Sequence, residues 1–156
     1  MKRIPWYVSD VIHSDYEWLL TQMKVEGLND LAQRWETYQA EGKWTVEAHE
    51  YWTLPHDYSD MKTKAPSLYA QLSKAQLVVF KGDLNYRKLM GDLNWQSTES
   101  FDVTLRSFHP TKVLSLRTVK ADVICGLKEG VADKLFDKDP DWMVTGDYGI
   151  IQYSAL

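Results

Sequence analysis

Two rhythms of apolar positions run along this chain. Leu77-Val78-Val79-Phe80 and Val113-Leu114-Ser115-Leu116 are short, nearly unbroken apolar runs. Runs of that length read as strands, the first as a buried parallel strand. Ile4 to Val8 is strand-like and is closed by Ser9-Asp10. Ser14 and Glu17 have the spacing of a capping box, and Trp18, Leu19 and Met23 follow at helical spacing. Leu28, Leu31, Trp35 and Tyr38 form a helical stripe over Asn29 to Ala40, and Gly42 ends that helix. Core packing is the expected use of this stripe. Lys43 to Ala48 reads as a strand. Pro66 opens a helix at its first turn, with Leu68 and Leu72 on one face. Further helical segments are predicted from Asn85, over Ser100 to Ser107 and over Val131 to Phe136, with a last strand over Tyr148 to Tyr153. Such alternation predicts an α/β domain with a mainly parallel sheet and covering helices.

Composition narrows the function classes. A chain of 156 residues with 44% apolar content can bury a core as one domain. The net charge of -4 lacks the basic surplus of a nucleic-acid binder. No apolar run is long enough for a membrane span and no targeting segment stands out, so no membrane partner is expected. Cys125 is the single cysteine, which excludes an internal disulfide and a cysteine-based zinc cluster. Its apolar neighbours Val123 and Ile124 mark it as a core thiol. His49, Glu50, His56 and Asp57 suggest a metal site at first sight. Yet Thr53-Leu54-Pro55 interrupts any helix between the histidines, and no His-Glu-x-x-His spacing is present. An aromatic loop, with His56 satisfied by hydrogen bonds, is the reading preferred here.

The chemistry concentrates after the two apolar runs. Lys81-Gly82-Asp83-Leu84-Asn85-Tyr86-Arg87-Lys88-Leu89 supplies a carboxylate, an amide, a phenol and three cations within nine residues. Packing does not call for that mixture, whereas a site for an anionic, polyhydroxylated ligand does. Arg117-Thr118-Val119-Lys120 follows the second run directly. Arginine offers a planar fork to phosphate oxygens and lysine a point charge. Asp10 follows the first strand-like run, where α/β enzymes place a metal-binding or catalytic carboxylate. Asp10 as the cap of a turn is an equally good reading of its spacing. If each residue ends a strand of one sheet, Asp10, Asp83, Asn85, Arg87 and Lys120 should share one ligand-binding edge.

Pro5 to Asp10, Trp52-Thr53-Leu54-Pro55-His56, Lys81 to Leu89 with Gly91-Asp92, and Arg117 to Lys120 occur in an order that resembles the damage-control phosphatase family. That family was formerly labelled domain of unknown function 89. The branch it resembles carries the Arg-Thr-x-Lys signature and includes the acidic-residue methyltransferase 1-like proteins. Trp142 to Tyr153 also looks like that branch, so the resemblance covers essentially the whole chain.

The resemblance implies a Rossmann-like sheet belonging to a larger three-layer domain, of which residues 1–156 form the C-terminal part. The N-terminal helical domain and the Asp-Asn metal motif of the family are not found in this sequence. It implies a metal-dependent phosphatase hydrolysing small sugar phosphates such as fructose 1-phosphate or fructose 6-phosphate. The metal is Mn²⁺ or another divalent cation such as Ni²⁺, Co²⁺ or Mg²⁺. Asp10 is then the metal ligand and, with Asp83, a catalytic residue. Asp83, Leu84, Asn85, Tyr86 and Arg87 line the substrate site, Lys120 contacts the phosphate, and Arg117 belongs to the same set. The expected partner is a small phosphorylated sugar in the cytoplasm, with the nucleus as a second compartment. Without the Asp-Asn pair the chain is expected to bind Mn²⁺ poorly and to hydrolyse little, with an exposed sheet edge. The alternatives are an S-adenosylmethionine-dependent glutamate carboxyl methyltransferase and a non-catalytic remnant.

Overall fold

The computed structural model describes residues 1–7 and 10–155, so Val8 of the first expected strand and Ser9 lie outside the described residues. The chain divides into two compact units, Met1–Pro55 and His56–Leu156. The fold class is α/β, as the alternation of elements predicts.

The first unit is a helical hairpin. Helix α1 spans His13–Val25 and α2 spans Asn29–Ala40. The start of α1 differs from the expected capping box. Ile12 is the N-cap and Asp15, at the third helical position, accepts its N–H at 2.8 Å. The carboxylate one turn in therefore does what Ser14 was expected to begin. Both helices close alike, with two backbone bonds that satisfy carbonyls of the last turn. After α2, Lys43 N–H reaches Tyr38 O and Gly42 N–H reaches Gln39 O, with Gly42 at φ 69°. That left-handed position favours glycine. Leu20, Met23 and Ala32 form the core of the hairpin, flanked by Tyr16, Leu31 and Trp35. Of the apolar residues at helical spacing in α1, Met23 is buried while Trp18 and Leu19 are exposed.

Two expected strands do not form among the described residues of this unit. Ile4, Trp6 and Tyr7 lie in bends and are exposed. Residues 43–48 run without a ladder partner. Trp44 instead packs on Trp35 and Tyr38, each with ring centroids 5.3 Å apart. An extended segment becomes a strand only when another backbone takes its hydrogen bonds. Here the aromatic contact claims the segment.

The second unit holds the sheet. Strand β1 is Val78–Lys81, β2 is Val113–Thr118 and β3 is Gly149–Ser154. Their order is β1-β2-β3, with β1 and β2 parallel and β2 and β3 antiparallel, so the sheet is mixed. Around it lie α3 (Met61–Lys64), α4 (Pro66–Leu72), α5 (Asp83–Met90), α6 (Phe101–Thr104) and α7 (Val131–Lys138). Proline opens α4 as expected. One sheet face carries Phe80, Val113 and Ser115, all buried. Phe80 meets Tyr58 and Phe108 at centroid distances of 5.0 and 5.7 Å. A separate cluster joins Val119, Ile124 and Trp142 to Leu135, Tyr148 and Ile150. The register sets Val79, Leu114 and Tyr153 in one row and Leu116 beside Ile151 in the next. Val79, Ile151 and Tyr153 of this second face are exposed, so β1 is not buried on both faces as its apolar run suggested. Among the described residues no helix is long and apolar enough to cross a membrane.

Polar contacts fix the turn before α3. Asp57 Oδ1 accepts from Ser59 N–H at 2.9 Å and Ser59 O–H at 2.6 Å, and pairs with Arg106 at 3.0 Å. Burial pushes the Asp57 carboxyl up, but the Ser59 hydroxyl, Arg106 and the Ser59 amide together hold it below its ordinary value. The unfolded chain therefore binds the extra proton first as acid is added. Stability from this group is present above about pH 4 and is lost as pH falls through the folded-state value. Asp57→Asn should lower stability near neutrality by about 1 kcal/mol and flatten the acid limb of a plot of unfolding free energy against pH. An acid limb of unchanged slope would remove Asp57 from that account.

Candidate active site

Parallel pairing brings the two motif-bearing strand ends to one edge. β1 and β2 run in register from Val78↔Val113 to Lys81↔Leu116. The ladder continues by one bond, Gly82 N–H to Leu116 O at 2.9 Å. Gly82 then turns the chain at φ 105° and ψ 158°, a conformation essentially restricted to glycine, and caps α5. Asp83 is the first residue of that helix. The first-turn N–H groups of a helix have no intrahelical acceptors, and the helix dipole adds positive potential there. An anion is the natural ligand for such a terminus.

The Asp83 carboxylate ties both motifs together. Its Oδ1 accepts from Arg117 Nε at 2.7 Å and from the Lys120 backbone N–H at 3.3 Å. Oδ2 carries neither bond. Arg117 leaves β2 on its buried face, and its side chain has 0% exposure. One terminal nitrogen donates to Val123 O and the other to Ala121 O at 2.7 Å. The guanidinium lies 4.2 Å from the centre of the Tyr86 ring. Arg117 is thus occupied inside the protein on every side. It does not offer its fork to a phosphate, as its residue type had suggested, and it positions Asp83 and the 120–123 loop instead.

Tyr86 also departs from expectation. Its side chain is fully buried, and its hydroxyl lies 3.4 Å from Cys125 Sγ and accepts Cys125 N–H at 3.3 Å. Burial, then Cys125, raises the phenol above its ordinary pKa, with Arg117 opposing. A sugar hydroxyl has no access to it. Cys125 is the core thiol that its neighbours suggested.

The remaining candidates are half-buried or exposed. Leu84 is half-buried in the first turn of α5. Asn85 Nδ2 donates to Lys81 O at 2.7 Å, and its Oδ1 accepts from the Tyr58 hydroxyl at 2.5 Å. Arg87 makes a two-point pair with Asp92, Nε to Oδ1 at 2.7 Å and a terminal nitrogen to Oδ2 at 2.6 Å. These bonds hold the Asp92 carboxyl below its ordinary value, against the effect of burial. The Lys120 side chain is exposed, its stem beside Gly146.

Asp10 belongs to the first unit. Its Oδ2 accepts from the Trp6 and Tyr7 amides at 2.9 and 3.0 Å, and its Oδ1 pairs with Lys2 at 2.7 Å. Burial pushes its carboxyl up, but Lys2 and the two amides outweigh that and hold it below the ordinary range. The turn-capping reading describes these contacts. Among the described residues no three His, Cys, Asp or Glu side chains gather as a metal site would require. A hard divalent cation needs several oxygen ligands, so Asp10 as placed, with an ammonium on one oxygen, does not by itself fit one. His49 Nδ1 accepts from Tyr51 N–H at 3.1 Å, and His56 faces Asp60 at 3.8 Å, in keeping with structural roles.

Residues 1–135 match the family described as the damage-control phosphatase ARMT1-like domain. The chain belongs to the ARMT1-like damage-control phosphatase domain family. It is 47% identical over 157 aligned residues to the damage-control phosphatase ARMT1 of Mus musculus, 46% to that of Danio rerio and 45% to that of Homo sapiens. Each alignment covers 99% of this chain and 36%, 35% and 36% of the respective relative. The chain thus spans about a third of the length of these relatives.

Tyr58 is the site-forming residue that sequence reading missed. It lies 27 positions from Asn85, and no local pattern announces a bond across that gap. Asp92 had a weaker signal, standing with Gly91 in the resembling segment without an assigned task.

Proposed function

We propose that this chain carries the phosphate- and sugar-recognising part of a metabolite-repair phosphatase acting on small sugar phosphates, fructose 1-phosphate and fructose 6-phosphate among them. One observation carries the reading: Asp83 Oδ1 bonds the Arg-Thr-x-Lys segment at Arg117 and Lys120. That bond puts a helix start, a carboxylate and an exposed lysine at one sheet edge. The amides of the first turn of α5 and the Lys120 ammonium bind the phosphoryl oxygens and stabilise the charge that grows on them in the transition state. Asp83 Oδ2 orients the attacking water. Asn85 and Arg87 bond the sugar hydroxyls, and Leu84 packs against the ring. Arg117 holds Asp83 in place without touching substrate. Metal dependence is part of the proposal, with Mn²⁺ the first ion to test; Asp10, bonded to Lys2 and to the Trp6 and Tyr7 amides, is not assigned to the ion.

The test is phosphate release from p-nitrophenyl phosphate and both fructose phosphates, with and without Mn²⁺, alongside a ³¹P NMR titration of the chain with fructose 6-phosphate. Saturable binding of the sugar phosphate, with or without turnover, supports the reading. Absence of both binding and turnover overturns it. Methyl transfer from S-adenosylmethionine to glutamate carboxyls in a parallel assay, without phosphate release, would replace it.

A further inference from the structure

The geometry points to Tyr58 as the residue that sets the polarity of Asn85 and thereby the site's preference for a hydroxylated ligand over bare phosphate. The inference rests on the functional reading above and adds a positioning residue to it.

Tyr58 has 1% exposure. Its ring is held by Phe80 at 5.0 Å and Phe108 at 5.5 Å, and Lys88 Nζ lies 5.5 Å from its centre. Phe80 stands on β1, just before the turn into α5, so the cage and the candidate site are built on the same strand. A caged ring has little freedom, which aims the hydroxyl at one point. That point is Asn85 Oδ1, 2.5 Å away.

The amide's orientation follows from its two partners. Asn85 Nδ2 faces Lys81 O, which can only accept. Oδ1 therefore faces Tyr58, whose hydroxyl must donate. A primary amide has two N–H groups and two oxygen lone pairs. With one of each used inside the protein, Asn85 keeps one donor and one acceptor on a half-buried side chain. A hydroxyl group both donates and accepts, so it satisfies both. Inorganic phosphate keeps a P–OH near neutral pH, but in the proposed site its charge seats it at the helix start and Lys120 rather than at this pair. Without the Tyr58 hydroxyl the amide loses the bond that fixes its oxygen and is free to turn, and the matched pair is no longer presented.

Tyr58→Phe keeps the ring in its cage and removes one oxygen, so folding is expected to survive. A single neutral hydrogen bond corresponds to roughly a three- to tenfold change in binding. Fructose 6-phosphate should therefore bind the variant about three- to tenfold more weakly by ³¹P NMR titration, while the affinity for inorganic phosphate stays unchanged. Asn85→Ala should weaken the sugar phosphate at least as much, and adding Tyr58→Phe to it should cost nothing more. In ¹⁵N-correlated spectra the Asn85 side-chain amide signals should move in Tyr58→Phe and exchange faster with water. Equal weakening for both ligands, additive losses in the double variant, or unmoved Asn85 signals would each overturn the inference. If the parent chain bound no sugar phosphate, the functional reading would fall. The Asn85 signals would then decide separately whether Tyr58 fixes the amide.

Discussion

Replacing Arg117 with alanine should cost the His56–Leu156 unit about 3–5 kcal/mol, enough to leave much of it unfolded at ambient temperature. The side chain is wholly buried. Its removal strands the Asp83 carboxylate at one side and the carbonyls of Val123 and Ala121 at the other. Val123 is buried and Asp83 and Ala121 are partly so, and a polar group left unpaired away from water bears a desolvation cost. The Tyr86 ring also loses the cation against its face. Lysine cannot substitute, because a point charge cannot bond one carboxylate and two carbonyls in three directions. Arg117→Lys should therefore fall between the parent and Arg117→Ala in urea midpoint, nearer the alanine variant. Midpoints for both variants equivalent to within about 0.5 kcal/mol of the parent would show that Arg117 does not hold these elements.

That result would also separate two uses of arginine that sequence alone cannot tell apart. An arginine and a lysine after a strand suggest a phosphate pocket, and Lys120 retains the exposure that role needs. Arg117 does not, because strand alternation points Val113, Ser115 and Arg117 to the buried face while Thr118 is exposed. The alternation was legible; the presence of Asp83 within reach on a following helix was not. Helix α2 was legible to its ends, since a four-residue aromatic and aliphatic stripe and a closing glycine are local signals. The apolar run of β1 was legible as a local signal, whereas α5 begins at Asp83, ahead of the Asn85 start expected from the sequence. Residues 43–48 were not, because alternation states only that a strand is possible. Whether a partner backbone or a pair of rings claims the segment depends on contacts that are distant in sequence. Tyr58 and Asn85 illustrate the same limit inside the site.

The largest functional effect is expected at Lys120. Its backbone N–H bonds Asp83, whereas its side chain is exposed and runs out beside Gly146. Lys120→Ala keeps the backbone bond and removes only the ammonium, so stability should change by no more than about 0.5 kcal/mol. The loss should appear in recognition of the phosphoryl group. A charge-assisted contact contributes roughly 1.5–3 kcal/mol, which corresponds to a tenfold to hundredfold fall in kcat/KM for a fructose phosphate, or in its affinity where turnover is too slow to follow. Because the contact is made to the ground-state phosphate as well as to the transition state, KM should rise. Lys120→Arg should recover part of the loss, since it restores the charge with a different shape. Salt should weaken binding to the parent more than to Lys120→Ala, because only the parent presents the ammonium to the anion. An unchanged kcat/KM or affinity in Lys120→Ala, with the fold intact, would return Lys120 to the solvated surface and leave the helix start of α5 as the only phosphate-binding element of the proposed site.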